Sequence, residues 1–304
     1  MKLHVLTPGP MTTVQDRGRY GFIASGIGVS GVMDQDAYAA ANYLVGNKRG
    51  EAVLEATLMG PTIRFEGDCI CAVTGADMGT MVGNKPVEPY RPFWIQSGQT
   101  LTMGYAKNGC RGYLAVQGGF DVPVVMGSRS TNLKCQLGGH EGRALKAGDI
   151  LTVPEESNSN CMDRKRRAPV YSQDVTVRVI RGPQADAFTE NGFRTLWSST
   201  YSLSAKSDRM GLRLEGPSIE TKNGSDIVSD GIALGAIQVT SGGQPIILLA
   251  DRQTTGGYAK IGTVCSFDIP KLAQLKPGGT IRFEAITVEA AQKILKRRKW
   301  RFWL

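Results

Sequence analysis

Short runs of apolar residues, separated by glycine-containing turns, recur along the whole chain. Runs of this length that are rich in β-branched residues and bounded by glycine predict β-strands. Many such strands at short spacing favour barrels or sandwiches over a parallel α/β sheet. The predicted class is therefore mainly β with few helices. The runs are "LHVLT", "TIRFEG", "CICAVTG", "TLTMGY", "GYLAVQGG", "DILTV", "VTVRVIRG", "LRLEG", "AIQVTSG", "PIILLA", "TVCSFDI" and "TIRFEAI".

Two segments have the pattern of α-helices instead. Residues 33–47 are rich in alanine, begin near a candidate cap at Asp34 and end at glycine. Residues 287–299 begin with Thr287 as a candidate cap and end in cations, which suits the helix dipole. A third, shorter helical piece is predicted at residues 184–188.

A polar stretch without periodicity divides the chain nearly in half. Residues 154–173 are charged and carry no strand or helix pattern, so they are the best candidate for a linker. The predicted organisation is an N-terminal β subdomain at 1–153 and a C-terminal β subdomain at 174–304 that ends in a helix.

The composition is that of a soluble globular protein, with 41% hydrophobic and 21% charged residues. No apolar run approaches the roughly 20 residues that a membrane-spanning helix needs. The first residues lack the hydrophobic region of a signal peptide. We therefore expect a cytoplasmic protein with no membrane partner.

The net charge of +9 is confined to two short segments. Residues 164–167 carry four positive charges and residues 296–301 carry five, so the remainder is close to neutral. Such clusters favour a solvated linker and a basic tail over a nucleic-acid surface, and no nucleic acid is expected as a partner. The aromatic residues of the tail, at 300–303, favour packing on the protein itself or on a partner.

Several familiar kinds of site are excluded by the residues present. Six sparse cysteines and two histidines give little material for a metal centre, so no metal is expected. The chain contains no G-x-x-x-x-G-K-[ST] phosphate loop, so it does not hold ATP by that motif.

Polar residues cluster instead beside glycines at the ends of the predicted strands. Glycine lets backbone N–H groups approach a ligand closely, and arginine can clamp a carboxylate or phosphate with two bonds. The alternative at each position is a turn held by its own polar side chains. The residues proposed for catalysis are Asp77, Asp208, Arg209 and Asp251. Those proposed for substrate binding are Gln15, Asp16, Arg17, Arg19, Gln238, Gln253, Thr254, Thr255, Gly256, Gly257 and Tyr258.

The densest cluster follows a predicted buried strand at residues 245–250. Asp251 to Gly257 then replace the apolar pattern with charges, threonines and two glycines. Periodicity leaves open whether this segment is a hairpin-like turn or a substrate loop.

The order of these segments resembles the allophanate hydrolase subunit 2 family from about residue 5 to 290. The matching segments include "TTVQDRGRYGF", "LEATLMGPT", "YLAVQGGFDVPVVMGSRST", "SDRMGLRLEGP" and "GQPIILLADRQTTGGYAKIG". The family includes subunits of ATP-dependent 5-oxoprolinase and part of the carboxyltransferase domain of urea carboxylase. The resemblance implies a cyclophilin-like β-barrel architecture. Ala259 stands where a proline is common in the family, which removes no polar side chain.

The resemblance also implies an activity and partners. The expected function is that of a subunit in a complex that hydrolyses 5-oxo-L-proline to L-glutamate and uses ATP. Its expected partners are two other subunits, including a smaller kinase-inhibitor-like one, and a small-molecule amide. The alternatives are a biotin-dependent carboxyltransferase component of the urea or allophanate type, for which biotin would be the cofactor, and a non-catalytic regulatory partner.

Overall fold

The computed structural model describes residues 1–154 and 159–303. The chain folds into two compact units, Met1–Tyr171 and Ser172–Leu304. Residues 155–158 of the predicted linker lie outside the described residues, and so do the aromatic side chains of the basic tail. No helix within the described part of the chain is long and apolar enough to cross a membrane.

The first unit contains two antiparallel sheets. One has the strand order β11-β1-β4-β9-β6-β7, and the other has the order β2-β3-β10-β5-β8. The strands are β1 (Lys2–Thr7), β2 (Thr12–Gln15), β3 (Val53–Thr57), β4 (Thr62–Glu66), β5 (Cys69–Asp77), β6 (Met81–Val82), β7 (Lys85–Pro86), β8 (Pro92–Ile95), β9 (Thr100–Thr102), β10 (Asn108–Val116) and β11 (Ile150–Thr152).

Helix α1 (Gln35–Leu44) covers strands β5 and β10 of the second sheet. Its N-terminus is capped by Asp34, whose carboxylate accepts hydrogen bonds from two backbone N–H groups of the first turn. Its buried face is alanine-rich, which lets the helix approach the sheet closely, and the hydroxyl of Thr74 in β5 donates to the Ala37 carbonyl at 2.8 Å. The predicted helix and its cap are confirmed.

The second unit is a closed barrel with the strand order β12-β19-β16-β17-β14-β13-β20. Val175, Val177 and Val179 of β12 are buried and alternate with more exposed residues, as expected for a strand with one face in a core. A separate ribbon pairs β15 with β18. The strands are β12 (Asp174–Arg181), β13 (Tyr201–Leu203), β14 (Gly211–Glu215), β15 (Asp226–Gly231), β16 (Ala236–Val239), β17 (Pro245–Leu248), β18 (Thr255–Tyr258), β19 (Lys260–Val264) and β20 (Thr280–Ala285).

The helices of the second unit are α2 (Glu190–Ser198), α3 (Ile269–Ala273) and α4 (Val288–Trp303). Helix α4 begins after Thr287, whose hydroxyl accepts a hydrogen bond from Ala290 N at 3.2 Å, so the predicted cap is confirmed. The predicted piece at 184–188 is a 3₁₀ helix, Ala185–Ala187. The mainly β class with few helices is likewise confirmed.

The segment after β17 differs from both structures that its composition allows. It is neither a tight hairpin nor an open loop, because Thr255 to Tyr258 form strand β18 and pair with β15. Only residues 249–254 remain as the connection between strands. The pattern gave no sign of this pairing because the two apolar residues of β15, Ile227 and Val228, are adjacent and do not alternate with polar residues, and the strand is largely exposed.

Candidate functional site

Two carboxamide side chains of the second unit converge on Gly256 of strand β18. A Cβ added at this glycine would lie 2.8 Å from Gln238 Nε2 and 3.3 Å from Gln253 Nε2. Gln238 is buried in β16 and donates from Nε2 to the carbonyl of Tyr258 at 3.1 Å. The side chain of Gln253 has no hydrogen-bond partner among the described residues. The missing side chain at Gly256 therefore makes room for two amide groups at one point.

A lysine and an aspartate adjoin this point, and they are absent from the residues proposed from the sequence. Lys260 is opposite Gln238 in the pairing of β16 with β19, and its ammonium group contacts Asp230 Oδ2 at 2.8 Å. The lysine side chain is 4% exposed and the aspartate side chain is 53% exposed. The hydrogen bond from Lys260 lowers the pKa of the Asp230 carboxyl group.

We name this group of residues the amide corner: Gln238, Gln253, Gly256, Lys260 and Asp230. Asp230 is paired with Gly256 across the β15–β18 ribbon, which explains why the lysine's partner lies beside the two carboxamides. Lys260 lies two residues after the predicted cluster in the sequence, so this closeness could have identified it as a site residue. Asp230 gave no such signal, since it lies outside the predicted polar clusters and well before this one along the chain.

Arg209 and Asp251 form a buried ion pair in the same unit. The guanidinium group donates to both carboxylate oxygens, at 2.9 Å from Nε and 3.2 Å from Nη2. Each side chain is 7% exposed. The backbone brings the two residues together. Strands β17 and β14 are paired, and just beyond this pairing Asp251 N donates a hydrogen bond to the Arg209 carbonyl. The pair holds the start of the 249–254 connection in place.

The other predicted residues of the second unit have simpler positions. The exposed carboxylate of Asp208 accepts from the backbone N–H groups of Met210 and Gly211, at 2.8 and 3.1 Å, which is an Asx turn. The carbonyl of Thr254 accepts from Ile232 N at 3.0 Å. The remaining predicted residues lie along β18, where they are exposed or half-buried: Thr255, Gly257 and Tyr258.

In the first unit, the carboxylate of Asp16 is the centre of a hydrogen-bonded loop. It accepts from the Gly18 and Arg129 backbone N–H groups, at 2.8 and 2.6 Å. It also accepts from the hydroxyls of Ser128 and Ser130, at 2.6 and 2.5 Å. Four donors thus surround one carboxylate that is 6% exposed. This arrangement fixes segment 128–130 against the turn after β2, which is the structural alternative that the sequence left open for this cluster.

The neighbours of Asp16 divide into buried and exposed side chains. Gln15 is fully buried and donates to Thr13 Oγ1 and the Thr131 carbonyl. Arg19 is also fully buried and donates to the carbonyls of Val125 and Ser130, and burial lowers the pKa of its guanidinium group against the opposing charge of Asp16. Arg17 is exposed, so it is the member of this cluster that a ligand can reach.

Asp77 is the last residue of β5, as predicted, and its side chain is exposed. Its carboxylate accepts from Gly79 N at 3.0 Å. Across the described residues, no group of three or more His, Cys, Asp or Glu side chains is placed to hold a metal ion.

Comparison with known proteins identifies the family to which this chain belongs. Residues 25–285 match the family described as carboxyltransferase domain, subdomain A and B. The C subunit of 5-oxoprolinase from Haemophilus influenzae is 40% identical over 98% of this chain and 95% of that protein. The corresponding protein of Escherichia coli is 38% identical over 96% of this chain and 93% of that protein.

A solved structure has the same fold. The crystal structure of the Kluyveromyces lactis urea carboxylase matches with a TM-score of 0.90 and 30% sequence identity. The match covers 99% of this chain and 29% of the urea carboxylase chain. The present chain thus corresponds to one part of a larger enzyme in that case, and to nearly the full length of the two bacterial proteins.

Proposed function

Because this chain belongs to the carboxyltransferase domain A and B family, we propose that it acts as the C subunit of an ATP-dependent 5-oxoprolinase. The complex opens the lactam ring of 5-oxo-L-proline to give L-glutamate. The family predicted from the sequence motifs is confirmed by the match over residues 25–285.

The level of sequence identity to two bacterial proteins is the observation that carries the proposal. The chain covers 95% and 93% of two bacterial 5-oxoprolinase C subunits at 40% and 38% identity. The identity to the urea carboxylase structure is lower, at 30%.

The amide corner suits a lactam. A lactam presents one N–H donor and one C=O acceptor in a plane, and each carboxamide side chain offers the complementary acceptor and donor. We propose that Gln238 and Gln253 bind and orient this group above Gly256. The ion pair between Lys260 and Asp230 joins strands β19 and β15 beside this group, so we propose that it holds the two carboxamides in place.

An unstrained amide resists water, and phosphoryl transfer from ATP to the lactam oxygen supplies the activation. The residues of this chain then have binding and positioning roles. Arg209 and Asp251 hold the connection that carries Gln253, and Asp208 shapes the turn before β14. Thr254, Thr255, Gly257 and Tyr258 line the ribbon next to the amide corner and are proposed to contact the substrate.

The predicted site residues of the first unit have separate proposed roles. Arg17 and Asp77 are exposed and available to a substrate or to a partner subunit. Gln15, Asp16 and Arg19 are proposed to act through the loop that they hold, since their side chains are enclosed.

A reconstituted assay tests the proposal. The chain is mixed with the two other 5-oxoprolinase subunits, and glutamate release from 5-oxo-L-proline is measured with and without ATP. We expect glutamate only when all three subunits and ATP are present. Turnover that is unchanged when this chain is omitted would contradict the proposal, as would stable association with no turnover, which is the behaviour of a regulatory partner.

The similarity to urea carboxylase supports a second candidate, a biotin-dependent carboxyltransferase component. Urea, a lactam and the biotin ureido ring all present a planar N–C=O group, so the amide corner suits each of them. Activity that requires a biotinylated carrier and is blocked by avidin would support this candidate. Avidin-insensitive glutamate release would exclude it.

A further inference from the structure

Three residues of the basic segment, Lys165, Arg166 and Arg167, line a cavity of the first unit that is open to solvent. The cavity has a volume of about 580 Å³. Its lining consists of Glu88, Pro89, Arg91, Lys165, Arg166, Arg167 and Ala168. The sequence favours a solvated linker at this position, and the side chains are exposed where they border this open cavity.

The basic segment is fixed to the rest of the unit by one backbone hydrogen bond and by contacts of two arginine side chains. Arg166 N donates to the Tyr90 carbonyl at 3.1 Å. The Arg164 guanidinium group donates to the Tyr43 carbonyl at 2.6 Å, and the Arg166 guanidinium carbon lies 3.9 Å from the centroid of the Tyr43 ring. A stacked guanidinium group has a restricted orientation. The Arg166 side chain is therefore positioned before any ligand arrives.

A second anchor lies on the C-terminal side of the cluster. The backbone N–H of Tyr171 donates to the side-chain oxygen of Asn108 at 2.9 Å, and the Asn108 amide donates back to the Tyr171 carbonyl at 2.8 Å. The hydroxyls of Tyr171 and Tyr90 lie 3.0 Å apart. The basic segment is thus held on both sides, unlike a free linker.

The charges around the cavity are unbalanced. Four cations and one carboxylate line it, which leaves a net charge of +3 among the lining residues. Glu88 is paired with Arg91 at 2.7 Å, so the remaining three cations face the cavity without a carboxylate in its lining. One monovalent anion would balance only a third of this charge. The volume lies within the range of about 300–1,000 Å³ that is usual for small-molecule sites.

We propose that this cavity binds a small molecule with several linked phosphate groups, held by Lys165, Arg166 and Arg167. Guanidinium groups match phosphate oxygens with paired N–H donors, and a lysine adds a compact charge. The site uses side chains where a phosphate loop would use backbone amides, which explains why no glycine-rich motif marks it. A nucleoside triphosphate and an inorganic polyphosphate both have this chemistry.

Calorimetric titration of the full chain tests the site, with ATP, inorganic tripolyphosphate and adenosine as probes in low-salt buffer. We expect both phosphate compounds to bind and adenosine not to bind. Tighter binding of ATP than of tripolyphosphate identifies a nucleotide as the occupant, and equal binding identifies the phosphate chain alone. Adenosine binding as tight as that of ATP, or no binding of either phosphate compound, overturns the proposal.

Charge variants separate a site from general attraction to a basic protein. K165Q/R167Q removes two lining cations and is expected to weaken tripolyphosphate binding by about tenfold or more. The matched control K2Q/R64Q removes the same charge at two exposed positions of β1 and β4 and is expected to change the affinity by less than about twofold. Equal weakening by both variants overturns the proposal.

A third variant is expected to increase the affinity for tripolyphosphate. Glu88→Gln removes the only carboxylate of the lining and releases Arg91 from its ion pair. Tripolyphosphate binding is therefore expected to become tighter by about threefold or more, and weaker binding would contradict the proposed site. The readout is binding to the isolated chain, so the result stands or falls independently of the 5-oxoprolinase assay.

Discussion

The guanidinium group of Arg209 is joined to the carboxylate of Asp251 by two hydrogen bonds, and both side chains are almost completely buried. In the sequence the two residues are 42 positions apart, and each stands in a separate glycine-flanked cluster. Their pairing shows that the two clusters form one framework around the end of β17. Each residue neutralises the other, so the pair supports the amide corner by holding the 249–254 connection.

Removing one partner of this pair is expected mainly to lower the free energy of unfolding of the protein. Arg209→Ala leaves a buried, unpaired carboxylate, and breaking a buried pair in this way costs about 3–5 kcal/mol. The free energy of unfolding, measured by urea titration, checks the loss. Combining Arg209→Met with Asp251→Leu should cost less than either single change, because no buried charge is left. A double variant as unstable as the sum of the two single variants would contradict this account.

The amide corner predicts different outcomes at two glycines of the β15–β18 ribbon. Gly256→Ala places a methyl group 2.8 Å from Gln238 Nε2 and 2.7 Å from Ile232 Cδ1, so the carboxamide must shift. We expect kcat/KM for 5-oxo-L-proline to fall by about tenfold or more in the reconstituted complex. Gly231→Ala, on the opposing strand β15, is the matched control, since a methyl group there meets nothing within 4 Å. Equal losses at both positions would remove the amide corner from the active site.

Local patterns were sufficient to predict the regular elements. Asp34 before an alanine-rich run and Thr287 before an amphipathic one marked the starts of α1 and α4, because capping depends only on neighbouring residues. The run "CICAVTG", residues 69–75, marked strand β5, which continues two residues further to Asp77. These features are local in the chain, which is why one sequence discloses them.

Contacts between distant residues were not predictable in the same way. The hydroxyl donors to Asp16 come from positions 112 and 114 residues further along the chain, so its structural role is visible only in the fold. Strand β15 is largely exposed, and its two apolar residues are adjacent and do not alternate with polar ones, which hid its pairing with β18. The partner of Lys260 lies on that strand, so the sequence signalled only half of this ion pair.

Substitutions at the adjacent residues Asp16 and Arg17 should distinguish a residue that stabilises the fold from a residue that contacts the substrate. Asp16→Ala removes the acceptor of four hydrogen bonds and is expected to lower the free energy of unfolding by about 3 kcal/mol or more. Arg17→Ala changes an exposed side chain and should alter stability by less than about 0.5 kcal/mol. Thermal unfolding and the reconstituted assay distinguish the two variants. If Arg17→Ala also leaves glutamate release unchanged, the arginine does not contact the substrate.

Stability at acid pH should depend on the ion pair between Asp149 and Arg143. Hydrogen bonds from Arg143, at 2.7 and 2.9 Å, lower the pKa of Asp149 to about 2 from its ordinary value of 3.8. A lowered pKa in the folded state means that the stabilisation is complete above about pH 4 and is lost as the pH falls through about 2. Asp149→Asn should therefore lower the free energy of unfolding by about 1–2 kcal/mol at pH 7 and by little at pH 2.

The control for this pH dependence is the second acidic partner of the same arginine. Glu141 also contacts Arg143, but its side chain is 67% exposed, so solvent screens the interaction. Glu141→Gln should reduce the free energy of unfolding by less than about 0.5 kcal/mol across the same pH range. Urea titrations of the three proteins between pH 7 and pH 2 measure both effects. A constant difference between the wild-type protein and Asp149→Asn down to pH 2 would show that Asp149 is not the group whose protonation weakens this loop.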